Sequence, residues 1–154
     1  MELSDILKPE AVKTVSSVAG KKRILQEISE LAASVYDVSG IEVFDALQER
    51  ETLGSTGVGK GVAIPHARLE NLSSVIGLFV RLEKPVDFDA SDRQPVDLLF
   101  ALLAPANSGV EHLKALALVS RSLRNGTVQS KLRNNNGEGT LHAILTESTP
   151  SKAA

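Results

Sequence analysis

The chain contains no cysteine and no tryptophan, and only one methionine, one tyrosine and four phenylalanines in 154 residues. Without cysteine it has no disulfides, thiolate metal centres or cysteine nucleophiles, which fits a reducing compartment. Few aromatics mean an aliphatic core, and no stacking platform of the kind that holds single-stranded nucleic acid. No apolar run approaches the roughly 20 residues that span a bilayer. The opening residues Met1 to Asp5 lack the basic-then-apolar pattern of a signal peptide. A dominant charge sign is missing too: 17 Lys and Arg face 19 Asp and Glu, a formal net charge of -2. The densest basic cluster, Lys21-Lys22-Arg23, falls at a predicted helix start and reads as a solvated face, leaving no electrostatic footprint for DNA or RNA. The expectation is a cytoplasmic protein with no membrane span and no nucleic-acid partner.

Hydrophobic residues make up 42% and charged residues 23%, an ordinary globular composition. A chain of this length fits one domain, here residues 1–148, followed by a disordered tail at 149–154. Ser4-Asp5 predicts the cap of a short helix that ends at Pro9, and Ala11 to Val15 a short strand. Ile24, Leu25, Ile28, Leu31, Ala32 and Val35 recur at helical spacing, so a helix runs from Lys21 to about Asp37. Ser39-Gly-Ile-Glu42 has capping-box spacing and opens a helix to about Glu51. Val62 to Pro65 and Val75 to Leu82 read as strands, the second as a possible sheet edge, with Leu69 to Ser74 connecting them. Lys84 to Asp92 fits either an edge strand or a loop. The apolar run Val96 to Leu103 is bounded by Pro95 and Pro105, which favours a strand buried on both faces. Ser108-Gly-Val-Glu111 suggests another capping box, on a helix that stops at Asn125-Gly126. Short helices follow at Val128 to Arg133 and Glu138 to Leu145. This alternation predicts an α/β fold, a small mixed β-sheet flanked by helices on both faces.

The chemistry concentrates between Gly54 and Glu70, where four glycines in eight residues precede Val62-Ala-Ile-Pro65-His66. Gly54-Ser-Thr-Gly-Val-Gly59-Lys60-Gly61 matches the nucleotide-binding pattern Gly-x4-Gly-Lys, but Gly61 stands where Ser or Thr must hold Mg²⁺. The context differs as well, because these glycines follow a helix and precede a strand. His66, His112 and His142 share no short ligand spacing and there are no thiolates, so no metal site is expected, a two-histidine pair of His66 and His112 being the one arrangement the spacing leaves open. His142 lies beside an apolar stripe and reads as an ordinary surface residue. The remaining role for His66 is nucleophilic: a neutral imidazole attacks phosphorus in line and needs only donors for the phosphoryl oxygens. Backbone amides of the glycine loop and the hydroxyls of Ser55 and Thr56 are candidate donors. His112, near the start of its helix, is either a partner for His66 or a structural histidine.

From Arg50-Glu51 through Gly54 to Pro65-His66, the chain resembles the active-site region of the IIA proteins of the phosphotransferase system, fructose/mannitol type. The likeness continues through Phe88 to Pro105 and Glu111-His112-Leu113, spans Leu3 to Thr146, and is strongest to the nitrogen-regulatory branch. Ala67 stands where many members have glycine. The resemblance implies the IIA mannitol/nitrogen-type fold and a phosphoryl group accepted on His66 from a phosphohistidine carrier protein (HPr or a nitrogen-type equivalent). It implies His112 as the hydrogen-bonding partner of His66, Arg50 near the active site and Thr56 in the lining loop. A nitrogen-regulatory output implies target proteins such as kinases or transporters. The alternative is a sugar-specific component that passes its phosphate to a IIB domain.

Overall fold

A computed structural model describes residues 1–147; the tail expected at 149–154 lies outside them. The order of elements is α1 (Leu3–Ile6), a 3-10 turn (Pro9–Ala11), β1 (Val12–Val15), α2 (Lys21–Tyr36), α3 (Gly40–Thr52), β2 (Gly57–Gly59), β3 (Val62–Ala63), β4 (His66–Leu69), β5 (Ile76–Val86), β6 (Val96–Pro105), α4 (Val110–Leu123), α5 (Gly126–Arg133) and α6 (Glu138–Glu147). The strands form one mixed sheet in the order β1-β5-β6-β3-β2, with β4 also pairing to β6. β5 and β6 are antiparallel, whereas β1 runs parallel to β5, and β3 and β4 run parallel to β6. Nine of the ten β6 residues are buried, so side chains on both faces of the sheet are covered. That explains the unbroken apolar run: a strand shielded on both sides has no polar face to alternate with. α2 and α3 pack on each other and on β5 and β4, while α4 lies against β6 and α6 against β1. The α/β class read from the sequence is the class observed.

Several local expectations change. The first helix is capped by Glu2, whose N–H donates to Asp5 at 2.7 Å; Ser4 sits inside it. β5 is no edge: it lies between β1 and β6, and it continues through Pro85 to pair Val86 with Val96. The segment from Lys84 is therefore strand as far as Val86, and turns only beyond it. Ser39 caps α3, its hydroxyl accepting from Glu42 N–H at 3.3 Å. The second capping box does not form: Gly109 occupies the cap position and the Ser108 hydroxyl is buried without a partner. Asn125 opens α5 instead of merely ending α4, its side-chain oxygen accepting from Thr127 and Val128 N–H. His142 is half-buried and its Nε2 lies 2.9 Å from the Leu7 carbonyl, tying α6 to the N-terminal segment. Within the basic cluster, Lys22 and Arg23 are solvated, but Lys21 turns inward. It pairs with Glu51 at 3.0 Å and stands 4.7 Å over the Phe88 ring.

Candidate active site

Pro65 decides the geometry around His66. β3 and β4 run along the same side of β6 and are separated by Ile64-Pro65. Pro65 has no N–H to give a ladder, yet its carbonyl still accepts from Leu102 N–H at 2.9 Å, so the strand resumes in register. His66 pairs with Leu102 as the first residue of β4. The expected strand end at Pro65 is thus only a break. Ile64 sends its N–H to the Thr56 carbonyl at 3.0 Å, while its own carbonyl meets His66 Nδ1 at 2.8 Å. A carbonyl only accepts, so Nδ1 carries a proton, and in the neutral ring the lone pair is therefore on Nε2.

His112, the third residue of α4, meets His66 edge to face with ring centroids 5.7 Å apart and planes at 70°. It is 5% exposed, and neither ring nitrogen has a hydrogen-bond partner. Burial first, then the nearby His66 and Arg68, hold its pKa below the ordinary value of 6.5. A buried, unpartnered imidazole costs about 1–3 kcal/mol for each unsatisfied group, and an incoming oxygen would relieve that.

The cleft holding both histidines is lined by Ala46, Glu49, Arg50 and Leu53 from the α3 side and by Ala67 and Arg68 of β4. Arg50 donates from Nη1 to the Gly54 carbonyl at 2.9 Å. Of the sequence candidates, the fold therefore brings together His66, His112 and Arg50. It does not bring Ser55 or Thr56 into that cleft. The Ser55 hydroxyl donates to the Phe88 carbonyl at 2.6 Å, and the buried Thr56 hydroxyl donates to Glu51 in a short hydrogen bond. Their role is to fix the chain between α3 and β2.

The glycine loop also stands apart from the imidazoles. Gly57–Gly59 and Val62–Ala63 form a hairpin whose turn residues Lys60 and Gly61 have φ of 58° and 81°. Two consecutive positive φ values are what a tight hairpin reversal demands, so the glycines serve the turn. Its tip is committed to protein: Asp92 accepts from Lys60 N–H at 2.9 Å, and Arg133 donates to the Lys60 carbonyl at 2.7 Å. No group of three or more His, Asp or Glu among the described residues is arranged to hold a metal ion. No helix among them is long and apolar enough to cross a membrane.

A family model described as phosphoenolpyruvate-dependent sugar phosphotransferase system, EIIA 2, matches residues 5–148. The chain belongs to that family. It is accordingly a phosphotransferase-system component. Its relatives include the nitrogen regulatory protein of Bradyrhizobium diazoefficiens, 44% identical across 94% of this chain and 95% of that protein. The nitrogen regulatory protein of Escherichia coli K12 is also 44% identical, across 99% of this chain and 96% of its own length. The crystal structure of the nitrogen regulatory protein IIA-Ntr from Neisseria meningitidis superposes with a TM-score of 0.85 at 37% identity, covering 92% and 97% of the two chains.

The sequence pattern assigns no function to Arg68 or to the buried Glu51. The signal for Arg68 was present: on a strand with period two, His66 and Arg68 share a face. Reading the strand as ended by Pro65 hides that alternation. Glu51 accepts from Thr56 N–H at 3.1 Å and from Lys21 Nζ at 3.0 Å. Nothing in a local pattern marks a carboxylate that ties its own helix to two other segments.

Proposed function

We propose that this chain is a phosphoryl carrier that takes its group on Nε2 of His66 from a phosphohistidine carrier protein, of the general or the nitrogen type. The observation that carries the reading is the imidazole pair. The Ile64 carbonyl holds the proton on Nδ1 and leaves Nε2 free, beside a buried His112 with no partner of its own. Arg50 supplies a cation to the same cleft. Positioning and charge stabilisation are most of what phosphoryl transfer requires, and the family resemblance implies that the step uses no metal or organic cofactor.

The output is regulatory. A phosphoryl group adds about two negative charges and three acceptor oxygens at one surface point, enough to make or break an interface. The two states then select different partners, of the kind represented by kinases or transporters. The high identity to nitrogen regulatory proteins supports this over a sugar-specific role.

Incubation with phosphoenolpyruvate, the first enzyme of the system and a histidine carrier tests the proposal. Acid-labile, base-stable phosphate is expected on wild type and absent from His66→Ala; persistent labelling of that variant refutes the site. Onward transfer to a sugar-specific IIB domain would replace the regulatory reading with the sugar-specific one.

A further inference from the structure

The cleft contains a second guanidinium that the carrier reading leaves without a task. His66 and Arg68 are two residues apart on β4, so their side chains leave the same face about 7 Å apart along the strand. Between them Ala67 is buried, as is Leu69 beyond. Arg68 reaches across to the turn between β6 and α4, where Nη1 donates to the Ser108 carbonyl at 2.5 Å and the Ala106 carbonyl at 3.4 Å. Arg50 is held in the same manner from α3, by one nitrogen on the Gly54 carbonyl.

Neither arginine has a carboxylate within ion-pair distance among the described residues, although Glu49 lines the same cleft. A backbone carbonyl orients a guanidinium without cancelling its charge, and an arginine has five N–H donors in a fixed fork. Each side chain is thus aimed by one nitrogen and keeps others for an anion. The charge of Arg68 already reaches the neighbouring imidazole of His112.

We propose that Arg68 is a second phosphoryl-binding residue, its remaining N–H groups donating to oxygens of the group carried on His66. This rests on the carrier reading and names a residue that reading does not use. In the transfer, the Nε2 lone pair of His66 forms the new N–P bond as the P–N bond to the donor imidazole breaks. The bonding pair returns to the donor nitrogen. A donor ring protonated on its other nitrogen leaves neutral, and the His66 ring takes up the positive charge with its Nδ1–H on the Ile64 carbonyl. Arg68 changes no bond; it offsets the phosphoryl charge.

The test uses the full chain as wild type, Arg68→Gln and Arg68→Lys, phosphorylated by the histidine carrier and, separately, by phosphoramidate, a small donor that requires no protein docking. Two quantities are read: the equilibrium distribution of phosphate between carrier and His66, and the ³¹P titration midpoint of the bound phosphoryl group. Loss of one charge-assisted contact should move the distribution about tenfold toward the carrier in Arg68→Gln. The midpoint should rise, because a nearby cation favours the more highly charged phosphoryl form. Arg68→Lys should recover most of both effects. A purely structural tether to Ser108 would alter stability and leave the phosphoryl titration where it is. If Arg68→Gln disturbs the amide spectrum of α4, Arg68→Lys against wild type in rising salt takes its place, with the wild-type distribution expected to shift toward the carrier as the charge is screened. Unchanged distribution and midpoint in Arg68→Gln, with wild type labelled normally, overturn the role of Arg68 alone. A wild type that accepts phosphate from neither donor overturns the carrier reading and this inference together.

Discussion

Replacing Glu51 by Ala should be among the most damaging single changes outside the apolar core. The side chain is 4% exposed and joins three segments: Lys21 at the start of α2, its own helix α3, and Thr56 before β2. Removing it strands the buried Thr56 N–H and hydroxyl, each at a cost of about 1–3 kcal/mol. It also leaves the Lys21 ammonium without its nearest carboxylate. Lys21 is 20% exposed, stands over Phe88 and has Asp89 within 3.7 Å, so its share is well below that of a fully buried charge. About 3 kcal/mol in total is reasonable, toward the lower end for a broken buried pair. With a urea m-value near ~2 kcal/mol/M, the midpoint falls by about 1.5 M. The chain has no tryptophan, so far-UV circular dichroism is the appropriate probe. Glu51→Gln separates charge from hydrogen bonding, because it retains an acceptor for Thr56 and loses the ion pair. A double-mutant cycle with Thr56→Val should give a coupling of about 1.5 kcal/mol or more, the range of a hydrogen bond to a charged group. If Glu51→Ala shifts the midpoint by less than about 0.25 M, the three-way junction does not hold the fold as argued.

Two further predictions follow from the same geometry. The folded-state pKa of His112 lies below 6.5 through burial, His66 and Arg68, so on acidification the unfolded chain takes up this proton first. Stability from this group is complete above pH 6.5 and is lost as pH falls to the folded-state value, because the unfolded state binds more protons in that window. His112→Gln should flatten that part of the stability–pH curve; parallel curves between pH 7 and 5 would contradict the assignment. Gly61→Ala should destabilise by about 1–3 kcal/mol, since φ is +81° and a Cβ would collide with the Arg133 guanidinium and lie 2.9 Å from Asp97 Oδ1. An unchanged thermal midpoint would refute that account of the glycine.

How much of the site could be read locally depends on how far its contacts reach along the chain. His66 was legible because Gly-Val-Ala-Ile-Pro-His is a contiguous motif with a family resemblance, and Arg50 because it opens the same stretch. The helical stripe from Ile24 to Ala32 and the doubly buried β6 were legible because periodicity and its absence are local quantities. The glycine loop looked like a phosphate nest because glycine composition is the same whether amides face an anion or complete a hairpin. Only the commitment of its tip to Asp92 and Arg133 separates the two. Ser55 and Thr56 illustrate the same limit: a hydroxyl's partner is not written in its neighbours.

The sequence alone therefore determined the class of fold and the family, and it singled out His66 as the proposed nucleophile, since each reading rests on patterns local in the chain. Tertiary structure decided which residues share the cleft. The parallel pairing of β4 with β6 brings His66 to the edge of His112, and the turn after β6 captures Arg68. These outcomes depend on register and on long-range packing, and local composition carries neither.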